Sequence, residues 1–210
     1  MMRILLGTLG VLAIAIVPAA AQLKPLIVRG TIEQVNGPVL TVKSRAGDTL
    51  TVRLAGDAKV VDVVKASLAD IKPGVFVGAT AVPEQGGGWK AAEVHLFPNS
   101  MRGTGEGDRP YDYQPKSTMT NGTVGNVAGG RSTVGGAVAK TEGTKLTLDY
   151  QGGEKTVDVT PETTIVSLVP GSSADLKPGA EVVIPSATRQ SDGTLATARI
   201  SVGRGVTPPM

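Results

Sequence analysis

Cysteine is absent from this chain of 210 residues, and histidine occurs once, at His95. Disulfides and thiol-linked lipid anchors are therefore excluded, and zinc, which draws on several Cys or His ligands, lacks its usual donors. Aromatic residues make up 3% of the chain. A nucleic-acid groove needs stacking rings along a basic stripe, whereas Lys and Arg here are interspersed with acids. Long apolar runs are scarce too. The one such run, Ile4 to Val17, is short of the roughly 20 residues that cross a bilayer. It follows Arg3, breaks at Pro18 and precedes Ala19-Ala20-Ala21, which is the pattern of a cleavable export signal. Residues 1–21 are expected to be removed before Gln22, taking the formal charge from +3 to +2 and leaving no membrane span. An uncleaved N-terminal anchor is the alternative.

What the chain has is repetition. SLADIKPGVFV begins at Ser67 and SSADLKPGAEV at Ser172. Around this phrase the order of other elements recurs. GTIEQVNGPVLTVKSRAG from Gly30 matches GAVAKTEGTKLTLDYQGG from Gly136, and GGGWKAAEVHLF from Gly86 answers SDGTLATARISV from Ser191. Preserved order points to an internal duplication.

Within each copy the apolar period is two, as in half-buried strands. Val39, Thr41 and Lys43 alternate with Leu40, Val42 and Ser44, and TLTVRL repeats the device from Thr49. Asn36-Gly37, Gly47-Asp48, Gly86 to Gly88, Gly152-Gly153 and Asp192-Gly193 supply turns. About six strands per unit are expected, in the first near 27–35, 38–44, 48–54, 59–64, 75–83 and 89–97. The repeated phrase fits a short helical turn capped by Ser67 or Ser172, an inward apolar plug at Ile71 or Leu176, and a type II turn at Pro73-Gly74 or Pro178-Gly179. The fold class is therefore all-β. Two tandem small antiparallel barrels of OB or SH3-like style are expected over 26–98 and 123–204, with a loose tail over 205–210.

Between them, the connector 99–122 is rich in Gly, Pro, Ser and Thr, yet it holds Tyr111 and Tyr113, with Arg102 and Arg109 among Glu106, Asp108 and Asp112. Aromatic residues are uncommon in pure linkers, so an ordered strap against one or both barrels is expected. VVKASLADIKPG from Val63, MRGTGEGDRPYD from Met101, STMTNG from Ser117 and SDGTLATARISVGR from Ser191 resemble small exported proteins of Gram-negative bacteria. These belong to a family of β-barrel domains of unknown function. The resemblance covers essentially the whole mature chain and implies a periplasmic or secreted location. Similar sequences are often labelled metal ABC transporter permeases. A permease needs several membrane spans, which this chain does not have.

Catalytic signals are weak. GTGEGD from Gly103 is neither a dinucleotide fingerprint nor a P-loop, because it lacks the GK[ST] ending and a following helix. The lone His95 has no nucleophile elbow for a triad. No serine stands three residues before a lysine, and nothing singles out a carboxylate pair for glycoside hydrolysis. In EVHLF, Val94 and Leu96 face inward, which leaves Glu93, His95 and Phe97 on the outer face. No catalytic residue, resident cofactor or nucleic-acid partner is expected.

Two binding readings remain. Glu106, Asp108 and Asp112 could share a hard divalent cation such as calcium, although they do not follow the D-x-D-x-D-G loop. Trp89, Arg102, Arg109, Tyr111 and Tyr113 could form a ligand or partner patch, with packing of the rings as the simpler alternative. The leading reading is a non-catalytic periplasmic binding or scaffolding protein whose partner is an envelope protein or a small ligand near the strap. A metal-handling accessory protein and an unrecognised hydrolase are the alternatives.

Overall fold

In VLTVKS, Leu40 and Val42 are buried while Lys43 is exposed, so alternation along the chain becomes an inside and an outside. The same logic runs through the computed structural model, which describes residues 25–134 and 137–208. The expected export signal lies outside the described residues. Twelve strands form, β1 (Leu26–Asn36), β2 (Val39–Ser44), β3 (Thr49–Lys65), β4 (Phe76–Pro83), β5 (Trp89–Leu96), β6 (Gly107–Pro110), β7 (Thr118–Val134), β8 (Ala137–Tyr150), β9 (Gly153–Val159), β10 (Thr164–Pro170), β11 (Glu181–Arg189) and β12 (Leu195–Arg204). Among the described residues no helix is long and apolar enough to cross a membrane.

The strands make two rings. In the first, β1, β2 and β3 form a meander that β11 and β12 complete, with β11 against β1 and β12 parallel to β3. In the second, β7, β8 and β9 form the meander and β4 and β5 complete it, closing where Lys90 of β5 lies opposite Asp158 of β9. Each ring has its own core. Leu40, Val52, Ile184, Leu195 and Ile200 fill the first, and Val77, Val94, Leu146, Leu148 and Val157 fill the second. Closing each sheet on itself leaves few edges open to another chain.

The all-β barrel architecture matches the sequence, but the threading differs. Neither 26–98 nor 123–204 closes on itself, because each meander is completed by the hairpin of the other half. Five strands make each ring rather than six, since the expected strands 48–54 and 59–64 run on as the single β3. Its far end pairs with β10, which also lies parallel to β5 and so joins the two rings. Thr118–Gly122, expected within the strap, already belongs to β7.

The repeated phrase performs the exchange. Ser67 and Ser172 start short 3-10 turns, and the carboxylates of Asp70 and Asp175 accept from the amides of Ser67 and Ser172 at 2.8 and 3.0 Å. The amide of Val75 donates to the carbonyl of Lys72, and that of Ala180 to Lys177. Gly74 and Gly179 sit at φ 87° and 85°, the left-handed position that a type II turn requires and glycine adopts without strain. The turns then dock away from their own meanders. Gly74 donates to Val124 of β7 and Gly179 to Ile32 of β1. Ile71 enters the second core and Leu176 the first. The apolar plug is as expected from the sequence, but the barrel it enters belongs to the other half.

Candidate functional site

Where the outer walls of the two rings face each other, they flank a partly open cavity of about 270 Å3. That lies just below the roughly 300–1,000 Å3 typical of small-molecule sites. The first ring and β10 supply mostly aliphatic wall, including Val61, Val63, Val166, Leu168 and Val183, together with Arg199 and Ser201 of β12. The second ring supplies Glu93, His95, Met119 and Asn121, and the strap supplies Met101, Thr104, Arg109 and Tyr111.

Strand register explains the polar wall. His95 lies opposite Gly78 of β4, which lies opposite Asn121 of β7. A Cβ at Gly78 would come within 2.7 Å of Asn121 Oδ1 and 3.1 Å of the Phe97 ring, so glycine keeps a gap open between the two polar side chains. Glu93 and His95 point away from the second core, as the alternation in EVHLF predicts, but this outer face does not meet solvent. Glu93 is 2% exposed and the His95 side chain 12%. The reason is tertiary: β10 and the first ring cover the face that a lone barrel would present to water.

This wall is short of hydrogen-bond partners. Glu93 Oε1 pairs with His95 Nε2, but neither atom makes a hydrogen bond of good geometry. The Asn121 amide donates to the Thr104 carbonyl at 2.9 Å, while its Oδ1 is buried with no partner. Buried acceptors left this way cost about 1–3 kcal/mol each, and a molecule that donates to them recovers that cost.

The strap is ordered and bonds to both rings. Arg29 of β1 donates to both carboxylate oxygens of Asp112, at 2.8 and 3.0 Å, and to the Tyr111 hydroxyl at 3.2 Å. Hydrogen bonding to Arg29 holds the Asp112 carboxyl below its usual range, and the bond to Asp112 raises the Arg29 pKa in turn. Burial raises the Tyr111 pKa against the opposing effect of Arg29, with smaller pushes from the charges of Asp112 and Glu93. On the second ring, Asp108 accepts from Thr120 at 2.7 Å and from Lys155 at 3.1 Å. β6 pairs antiparallel with the start of β7, from Thr118 to Asn121.

Of the residues singled out in the sequence, the structure brings Arg109 and Tyr111 to the cavity. Arg109 also donates to the Gly105 carbonyl at 2.7 Å. Arg102 instead ties the strap to Gly74 and Thr123 and lies over the Phe76 ring. Trp89 packs on the second core beneath the Lys155 ammonium, 3.6 Å from its ring centre. Tyr113 is exposed. The three acids go to different partners. Glu106 accepts from the Gln151 amide, Asp108 from Thr120 and Lys155, and Asp112 from Arg29. No group of three or more His, Asp or Glu side chains among the described residues is arranged to hold a metal ion.

Glu93, Asn121 and Arg199 were not singled out. The one available signal was Glu93 and His95 alternating with Val94 and Leu96, and a charged outer face ordinarily means solvent. Comparison with protein-family models, with curated proteins and with solved structures finds no match.

Proposed function

We propose that this protein is a non-catalytic binding protein of the periplasm, and that its ligand is a small molecule held between the two barrels under the strap. The observation that carries this reading is the buried, unpartnered Oδ1 of Asn121, beside the poorly bonded Glu93 and His95, on the wall of a mostly apolar cavity. Apolar walls with a few convergent polar groups are the usual composition of a ligand pocket. Export fits the apolar segment from Ile4 to Val17 and the small residues that follow it. The strap, bonded to both rings through Arg29 and Lys155, fits a roof that keeps the polar wall out of water. A metal-handling role draws no support from the connector acids, which have separate protein partners.

The test is to purify the untagged full chain from the periplasm without additives and compare native with denaturing mass spectra. The reading expects an extra mass that denaturation releases and that Ser201→Trp, which fills the cavity from the first ring, abolishes. Protein of bare mass that also fails to brighten the apolar probe N-phenyl-1-naphthylamine would overturn it.

A further inference from the structure

The cavity carries a buried carboxylate and a guanidinium without an ion pair at equivalent places on its two walls. Four residues after the turn glycine Gly74, Gly78 lies opposite His95. Four residues after Gly179, Val183 lies opposite Ser201. His95 and Ser201 therefore hold matching positions on β5 and β12. Two residues earlier on each strand stand Glu93 and Arg199, and both line the cavity. The two threadings thus set a carboxylate and a guanidinium on opposite barrels.

They do not neutralise each other. Glu93 pairs with His95, and Arg199 makes no ion pair or side-chain hydrogen bond with the described residues. Arg29 has Asp112 and Arg204 has Asp62, each within 3 Å. A charge facing a largely apolar wall is costly unless it is paired or hydrated. Water can pay that cost when the cavity is empty, but a ligand that displaces it must supply the missing partners.

We infer that the ligand is a small zwitterion with an apolar body, its ammonium donating to Glu93 and Asn121 and its carboxylate accepting from Arg199. This rests on the cavity reading above and sharpens it. An anion alone would leave Asn121 Oδ1 without a donor and Glu93 with only its poorly aligned contact to His95. A cation alone would leave Arg199 facing apolar walls. A neutral apolar molecule would leave both ends unmet. Arg109, exposed on the strap at the same cavity, adds positive potential at the entry.

The experiment uses a matched set of probes on the untagged full chain, read by calorimetry: ω-amino acids of four to eight carbons, hexanoate, hexylamine and hexanol. The expected result is that at least one ω-amino acid binds about tenfold or more tightly than hexanoate, hexylamine and hexanol. Arg199→Met should then bring its affinity down to that of hexylamine, and Glu93→Gln down to that of hexanoate. The wild-type ranking stands even if a variant fails to fold. Equal binding of hexanol and the ω-amino acids, or tighter binding of hexanoate or hexylamine, would overturn the zwitterion while leaving a small-molecule site. Failure of every probe, with N-phenyl-1-naphthylamine silent as well, would overturn the cavity reading and this inference with it.

Discussion

The amide of Gly74 donates to the carbonyl of Val124 at 2.8 Å, and this bond crosses between the two halves of the chain. Gly179 makes the same bond to Ile32 at 2.8 Å in the opposite direction. Together these contacts fix which hairpin completes which meander, and so they create the wall-to-wall arrangement that buries Glu93 and His95.

Strand exchange is testable because the chain has no cysteine of its own. Thr31 of β1 lies opposite Glu181 of β11, and Cα atoms of paired antiparallel residues are about 4.5–5.5 Å apart, within disulfide range. The double variant Thr31→Cys, Glu181→Cys is expected to oxidise within a monomer. The pair Thr31→Cys, Phe76→Cys, which local closure would bring together, is expected to stay reduced. Non-reducing electrophoresis with thiol counting distinguishes the two.

Ile71 and Leu176 are 4% and 7% exposed, each in the core of the ring completed by its own hairpin. Replacing either by Ala should cost about 2–5 kcal/mol in urea unfolding. A loss below 1 kcal/mol in both would mean that the plugs do not secure the crossing.

The strands and turns were legible in the sequence because their causes are local. Alternation in VLTVKS and left-handed glycine after Pro73 and Pro178 need only neighbouring residues. What was not legible is long-range. Either hairpin can complete either meander as far as period-two patterning is concerned, and the choice rests on pairings such as Val183 with Arg29. The same holds for β3, where Ala55-Gly56-Asp57-Ala58 reads as a break: the strand runs on through it, but its pairing with β12 shifts register there, from Leu54 opposite Thr197 to Lys59 opposite Arg199. The site suffered most. His95 was placed on the correct face of β5, but nothing near it in sequence indicates that another barrel covers that face. The strap's Tyr111 and Arg109 were recognisable because aromatic residues and alternating charges are unusual in a Gly-rich connector.

Asp112 makes the strap's hold on the first ring sensitive to acid. Its pKa is depressed in the folded state by hydrogen bonds from Arg29, so the stabilisation is present above its ordinary value of 3.8 and is lost as pH falls through the depressed value. Hydrogen exchange across residues 108–114 should therefore rise below pH 3.8 in the native chain. Asp112→Asn should show raised exchange already at neutral pH and lack that step. Identical profiles would remove Asp112 from the clamp.

Lys155 joins Trp89, Asp108 and Thr118 in one cluster and is 8% exposed. Lys155→Met should shift the emission of the single tryptophan and lower stability by about 1–3 kcal/mol, the cost of leaving buried polar partners unmade. Unchanged emission and stability would show that the ammonium does not anchor the strap there.

Gly78→Ala would put a methyl carbon 2.7 Å from Asn121 Oδ1, so overpacking should cost about 1–3 kcal/mol and weaken probe binding. Gly56→Ala is the control, since nothing lies within 4 Å of a Cβ there. Equal behaviour of the two variants would mean that Gly78 does not shape the cavity.

The most direct test of a ligand site between the barrels uses His95, the only histidine in the chain. In the untagged protein its ring carbon-bound protons give one isolated pair of NMR signals from the cavity wall. Saturation with the molecule released in native mass spectrometry, or with the tightest ω-amino acid, should move both signals, whereas Ser201→Trp should leave them in place under the same addition. Saturable binding that leaves the His95 signals of the native chain unmoved would contradict a site between the barrels.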